Sequence, residues 1–326
     1  MREIGSEFWD APTLETENHF FPESAQWFLS GRGALQAILR ELDGYHTAAV
    51  PSWCCDSMIK PFVDAGFAVS FYPVTGAAPE LSGVNADVLL VMDYFGFSGY
   101  SAVPDSYHGV VIRDLTHSLF SKRYDDADYF FGSLRKWCGV WTGGFALGLK
   151  RRYEETFDES YVALRCEAME RKATYIAGET DSKSFLNVFA EAEARLENSG
   201  SAAGAERDIN LAKRLDVNFI RERRRENAAL LLDAFREYAV FPELKEHDCP
   251  LFVPIRVPDG KRDALRRYLI DRKIYSPIHW PVSNFHAVDE RTRRIYAEEL
   301  SLICDQRYTS WDMCRIIDAG HAFGGL

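Results

Sequence analysis

Between residue 30 and about residue 150, short β-rich hydrophobic runs alternate with stretches of helical spacing. The runs are HTAAV (46–50), FAVSFYPV (67–74), ADVLLVM (86–92), GVVIRD (109–114), DYFFGS (128–133) and GFALGL (144–149). Several of them are apolar on consecutive positions, as a strand is when both of its faces are covered. GALQAILREL (33–42) and DSMIKPFVDAG (56–66) lie between runs and read as helices. Strand and helix alternating in this way predict an α/β layer built on a mostly parallel, mixed sheet flanked by helices.

The pattern then changes. Residues 151 to 235 are rich in helix formers, and INLAKRLDVNFIRERRRENAALLLDAF (209–235) predicts a long helix. Its apolar positions recur at helical spacing, for example at Leu211, Leu215, Phe219 and later Leu230 and Leu231, and the arginines of RERRREN are expected on a solvated face. ENSGSAAGAER (197–207) predicts a turn. Further on, LFVPIRV (251–257) reads as a strand, KRDALRRYLIDRK (261–273) as a helix and IYSPIHWPV (274–282) as an extended segment limited by proline. A last helix is expected at SWDMCRIIDAGHAF. A strand–helix–strand unit after a long helix predicts a small α+β domain. The expected division is a large domain with an N-terminal arm over 1–208, and a connecting helix with a small C-terminal domain over 209–326.

Composition narrows the class of function. The net charge of −11 disfavours nonspecific binding to nucleic acid or an anionic membrane, since both need a positive field. It leaves room for a small anion in a local pocket. No run approaches the roughly 18 apolar residues of a membrane span, and MREIGSEFWD lacks the features of a secretory signal. Seven cysteines without a CxxC pair fit a reduced, cytoplasmic protein, and eight histidines without ligand spacing argue against zinc.

Four stretches carry candidate chemistry. In LSGRGALQAIL (29–39), Ser30, Gly31, Arg32 and Gly33 open a helix, whose first N–H groups suit either a phosphate or an ordinary cap. Trp53, in VPSWCCDS, stands where ligands bind in open α/β sheets, so it is either a stacking residue or a core tryptophan. Asp114 ends an apolar strand and must be solvated, paired or ligated. It suits a protonated heteroaromatic nitrogen, and equally a helix cap; His117 follows three residues later. Lys136 lies in FFGSLRKWCGVWTGG (130–144), between an apolar strand and a Gly-Gly pair. A lysine in that frame, downstream of an aspartate and a phosphate-ready helix start, has the chemistry of a Schiff base with an aldehyde cofactor. Desolvation and neighbouring positive charge would favour its free amine.

Taken in order, SGRGAL, VPSWCCDSMIKPFVDAGFAVSFYPV, IRDLTHS, SLRKWCGVWTGG and IYSPIHWP resemble the fold-type-I pyridoxal-phosphate enzymes. The nearest resemblance is to the DegT/DnrJ/EryC1/StrS sugar aminotransferases, over most of the chain. The resemblance implies that Lys136 binds pyridoxal 5′-phosphate covalently and shuttles the proton, and that Asp114 keeps the ring nitrogen protonated. It further implies that Trp53 stacks on the ring and His117 lies beside it. Gly31, Arg32 and Ser133 would hold the phosphate, with Arg135 either adding charge or structural. His279 of the HWP segment would contact substrate or pack beside Trp280. The family's Asn-Tyr-Arg stretch is not found; Asn187, within FLNVFAEAEARLENSG, is its candidate substitute. A homodimer with sites at the interface is also implied.

The expected activity is transfer of an amino group, with glutamate as donor, to a keto group of a nucleotide-linked sugar. Two alternatives remain at this level. One is a dehydratase or other lyase of the same fold, which the retained Lys136 disfavours. The other is a non-catalytic regulator on the same scaffold, for which no appended helix-turn-helix is found.

Overall fold

The computed structural model describes residues 3–75, 78–121, 125–153 and 157–324. The chain divides into two compact units. The first comprises Met1–Ser6, Tyr45–Asp128 and Asn218–Leu326, and the second Glu7–Gly44 and Tyr129–Val217.

In the first unit, four parallel strands lie in the order Ala68–Tyr72, Thr47–Pro51, Val88–Met92, Val110–Asp114. All five side chains of Val88–Met92 are buried, which explains the unbroken apolar run in the sequence. Burying each such side chain contributes about 1.5–3 kcal/mol relative to exposure. The chain runs from Thr47–Pro51 to its neighbour on one side and then to Val88–Met92 on the other. This reversal of strand order leaves a crevice at the carboxyl ends of the two central strands, the usual ligand position in open parallel sheets. Trp53 follows one of those strands, Tyr94 and Phe95 follow the other, and Asp114 ends the strand beyond.

The rest of the first unit departs from the expected strand–helix–strand arrangement. Val253–Arg256 pairs antiparallel with Glu299–Leu302, a strand not expected from the sequence. Ile274–Tyr275 pairs instead, in parallel, with Ile4–Gly5. Helix Glu290–Glu298 was also not foreseen, because Asp289 caps a segment with few apolar residues. Helices Arg262–Ile270 and Ser310–Ala322 lie close to the expected positions.

The long helix expected over 209–235 is broken into Glu206–Ala212 and Val217–Phe235. Phe219 and Leu230 are exposed, whereas Ile220, Arg224, Asn227, Leu231 and Phe235 form the buried face. The expected solvated arginine face is therefore wrong at Arg224. That guanidinium is fully buried and donates to Gln306 Oε1 at 2.8 Å and to the carbonyls of Pro250 and Leu251. Asn227 Nδ2 donates to the carbonyls of Cys304, Asp305 and Tyr308. This helix docks through polar groups that close off otherwise unpaired backbone acceptors.

In the second unit, Gln26–Phe28, Gly144–Leu147 and Tyr129–Ser133 form antiparallel pairs in that order. Helix Gly31–Leu39 lies against them, burying Ala34, Leu35, Ala37 and Ile38. Helices Glu159–Ala177 and Phe185–Arg195 pack on each other. Parallel strands in one unit, antiparallel strands in the other and helices in both make up the expected α/β class.

Gly96 follows the central strand with φ +83°, and a Cβ there would stand 1.9 Å from the Cys249 carbonyl oxygen. Gly66 has φ +84° with open space around it. Gly66→Ala should therefore cost only the left-handed penalty of about 1 kcal/mol. Gly96→Ala should cost about 3 kcal/mol or more, because backbone must move as well. Denaturant unfolding of the two variants checks the contrast.

Candidate functional site

In the second unit, three segments meet at the start of helix Gly31–Leu39. Ser30 has extended backbone, and its hydroxyl accepts the Gly33 N–H at 3.1 Å. The Ala34 N–H is taken by the Ser30 carbonyl, which leaves the N–H groups of Gly31 and Arg32 at the first turn. A Cβ on Gly31 would lie 3.3 Å from the Gly132 carbonyl oxygen and 3.4 Å from Ser133 Cβ. A Cβ on Gly144 would lie 2.0 Å from the Ser30 carbonyl oxygen, so only glycine lets that strand start so close to the helix. The Gly-Gly pair thus has a packing cause. Gly31 and Arg32 at the helix start stand beside Ser133, so the positive helix end and a serine side chain meet, the donor set a phosphate takes.

Lys136 ends the single 3₁₀ turn Leu134–Lys136, three residues after Ser133. It is exposed in the chain, so the burial expected of it is not found there. Glu7 feels partial burial, which would raise its carboxyl, but Arg165, with Lys136, Arg135 and Lys172, holds it below the usual carboxylate range. Arg135 donates from Nη1 to the Tyr161 hydroxyl at 2.8 Å and from Nη2 to the Glu193 carboxylate. Those bonds make Arg135 a structural residue of this turn. Asn187 is exposed on helix Phe185–Arg195.

The other candidates belong to the first unit. Asp114 is buried, and its Oδ1 accepts the Thr116 N–H at 2.7 Å. A turn follows it and no helix, so the cap reading is replaced by this local bond. Trp53 is fully buried, with one face stacked on Tyr94 at 4.8 Å and 10°. Its Nε1 donates to the His279 carbonyl at 2.7 Å, and its own carbonyl accepts the Tyr94 hydroxyl. Phe95 and Trp280 also pack on it, and such packing is that of a core tryptophan.

His117 and His279 stand near one another, their ring centroids 5.6 Å apart. Phe95 lies 4.9 Å from His117 and 5.2 Å from His279, and Trp280 lies 5.3 Å from each. Phe252 closes on His279 at 5.0 Å. Phe95 and Phe252 were not singled out in the sequence. Phe95 has φ +55°, a conformation bulky residues rarely adopt. Its signal was DYFGF (93–97), which directly follows the fully apolar VLLVM strand.

A second histidine group lies behind Cys54. His286 Nδ1 accepts the Ser283 N–H at 2.9 Å, and Nε2 lies 3.2 Å from the Tyr296 hydroxyl and 3.6 Å from Cys54 Sγ. Burial, then the Cys55, Asp114 and Asp56 charges, push the Cys54 thiol far up, so this is no thiolate nucleophile. Burial lowers the His286 pKa below the ordinary imidazole value, against a smaller opposing effect of Asp56. An Nδ1 that accepts a backbone N–H also cannot carry a proton.

No family model matches the chain, and no curated protein does either. Solved structures do. A DegT DnrJ EryC1 StrS aminotransferase from Brucella abortus is 15% identical, covers 93% of this chain and 86% of its own, and has a TM-score of 0.60. PseC of Helicobacter pylori, an aminotransferase involved in pseudoaminic acid biosynthesis, is 15% identical with 96% and 98% covered and a TM-score of 0.62. DesI, solved in the presence of its TDP-sugar product, is 14% identical with 90% and 79% covered and a TM-score of 0.61.

The His286 contribution has a definite sign. A histidine with a depressed folded pKa stabilises fully above its unfolded value of about 6.5, and that contribution is lost as pH falls through the folded value. The urea midpoint should fall less from about pH 7 to about pH 5 in His286→Gln than in the parent, as parallel titrations measure. The motif resemblance and the measured likeness converge: the chain has the fold of the DegT/DnrJ/EryC1/StrS aminotransferases.

Proposed function

We propose that the protein is a pyridoxal-phosphate-dependent aminotransferase that moves an amino group from glutamate to a keto group of a nucleotide-linked sugar. The observation that carries this reading is the meeting of Gly31, Arg32 and Ser133 at one helix start, three residues before Lys136. The shared fold with sugar aminotransferases, one of them solved with a TDP-sugar, supports the sugar acceptor.

The residues present fit the cofactor. Any Cβ on Gly31 would crowd the Gly132 carbonyl and Ser133, and the cap bonds to the Gly33 and Ala34 N–H groups do not use those of Gly31 and Arg32. Gly31, Arg32 and Ser133 would hold the phosphate. When bound, pyridoxal phosphate supplies an electron sink for the carbon that carries the migrating nitrogen. The Lys136 Nζ would anchor it and carry a proton to and from that carbon. The Asp114 carboxylate would hold a proton on the ring nitrogen. His117 would flank the ring and Trp53 would stack on it. His279 would contact the substrate. We further propose a cytoplasmic homodimer with its sites at the interface, built from a large domain over 1–208 and a connecting helix and small domain over 209–326.

The test is chemical trapping. Protein incubated with pyridoxal phosphate should show a visible absorbance band that glutamate bleaches. Borohydride reduction should leave the pyridoxyl mass on the peptide containing Lys136. Lys136→Ala should lose the band, the label and at least a thousandfold of turnover, the order expected for removing a covalent and acid–base group. A label on another lysine, or none on the parent, would sink the assignment.

A further inference from the structure

The bland reading of His279 is that it packs beside Trp280, but its surroundings hold it more firmly than packing requires. Its backbone N–H donates to Glu299 Oε2 at 2.6 Å, and its carbonyl accepts Trp53 Nε1 at 2.7 Å. Its Nδ1 lies 2.9 Å from Ser301 Oγ, whose hydroxyl donates to Glu299 Oε1 at 2.5 Å. The backbone on both sides and one ring nitrogen are thus clamped. Glu299 and Ser301 are both fully buried on the strand Glu299–Leu302. They sit two residues apart, so the alternation of a strand puts both side chains on one face.

The direction of these bonds follows from donor capacity. The Ser301 hydroxyl has one proton, and it goes to Glu299 Oε1. Ser301 Oγ is then left with lone pairs facing the imidazole, and His279 Nδ1 must supply the proton between them. With Nδ1 protonated, the neutral ring carries its free lone pair on Nε2. Among the described residues, none hydrogen-bonds that nitrogen. The ring is set among Phe95, Phe252, Trp280 and His117. Aromatic faces beside one fixed acceptor are suited to a ring whose C–H groups are apolar and whose hydroxyls donate, which is a sugar.

We propose that Glu299 and Ser301 are positioning residues that fix His279 as the Nδ1-protonated tautomer, so that Nε2 accepts a hydrogen bond from a hydroxyl of the sugar substrate. The sugar rests on the function proposed above; the tautomer does not. A carboxylate placed behind a histidine through a serine gives the strand Glu299–Leu302 a role that its pairing with Val253–Arg256 does not require.

The experiment uses the full chain with ¹⁵N-labelled histidine, read by two-bond ¹H–¹⁵N correlation, with His279→Gln assigning the signal. The parent should show Nδ1 protonated. In Glu299→Gln the amide can donate to Ser301 Oγ and turn that hydroxyl toward Nδ1, so the signal should move to the Nε2-protonated form. Ser301→Ala, which removes the relay with a smaller change of volume, should show a mixture. Titration with dTDP-glucose should shift Nε2 in the parent, and its affinity should fall about fivefold in His279→Gln, the effect of one neutral hydrogen bond.

An Nε2-protonated parent, or a tautomer that both relay variants leave unchanged, would overturn the relay. No binding of dTDP-glucose to the parent, or equal binding by His279→Gln, would overturn the sugar contact. Because the tautomer is read without cofactor, failure of the trapping experiment and failure of the relay are separate results.

Discussion

A strand covered on both faces admits a polar side chain only where a buried partner meets it, so most of the chemistry of such a sheet is pushed to the strand ends. In the first unit this constraint is visible at Val88–Met92, where every side chain is buried and the polar residues begin at Asp93. Trp53, Tyr94, Phe95 and Asp114 all follow or end the parallel strands, and the crevice they border exists because the strand order reverses there. In the second unit the antiparallel strands bring Gly132, Ser133 and Gly144 to the first turn of a helix, where backbone donors are unpaired.

Chemistry concentrated at strand ends has to be held by buried polar groups, and several of those in the first unit are closely paired. Arg113 is fully buried on the strand that ends in Asp114. It donates to Asp126 at 2.7 and 2.8 Å and to the Ser101 carbonyl at 3.0 Å. Burial raises the Asp93 carboxyl, offset in part by the Ser101 hydroxyl and the Arg113 charge. Asp248 accepts the Ser98 N–H and the Lys245 N–H, each close to 2.9 Å, tying a loop after the helix Val217–Phe235 back to the sheet end. Removing one partner from such a pair leaves a buried donor or charge unsatisfied, a loss of several kcal/mol, which fixes these loops more firmly than apolar contact alone would.

The same logic separates the two histidine groups. His286 accepts a backbone N–H and sits against a thiol that burial keeps protonated, so its role is to hold the segment around Ser283. His279 is held from behind by Ser301 and Glu299 and stands among aromatic rings. One is a fastening and the other an oriented acceptor, and the difference lies wholly in which ring nitrogen is occupied and by what.

Much was readable along the chain wherever a local rule governed. The unbroken apolar runs marked the parallel strands, Ser30-Gly31 marked the helix start, and Asp114 and Lys136 were placed at strand ends by their neighbours alone, since period and capping depend on nearby residues. The break after Ala212, the burial of Arg224 and the pairing of Val253–Arg256 with Glu299–Leu302 carry no such local mark. Arg224 looks like any arginine of a charged helix until Pro250, Leu251 and Gln306 are brought against it. Glu299 and Ser301 are an ordinary acidic and polar pair in sequence, and only folding sets them behind His279, twenty residues earlier. Local propensity acts through neighbours a few residues away, whereas the partner of a buried polar group is chosen by which distant segment the fold brings within hydrogen-bond reach.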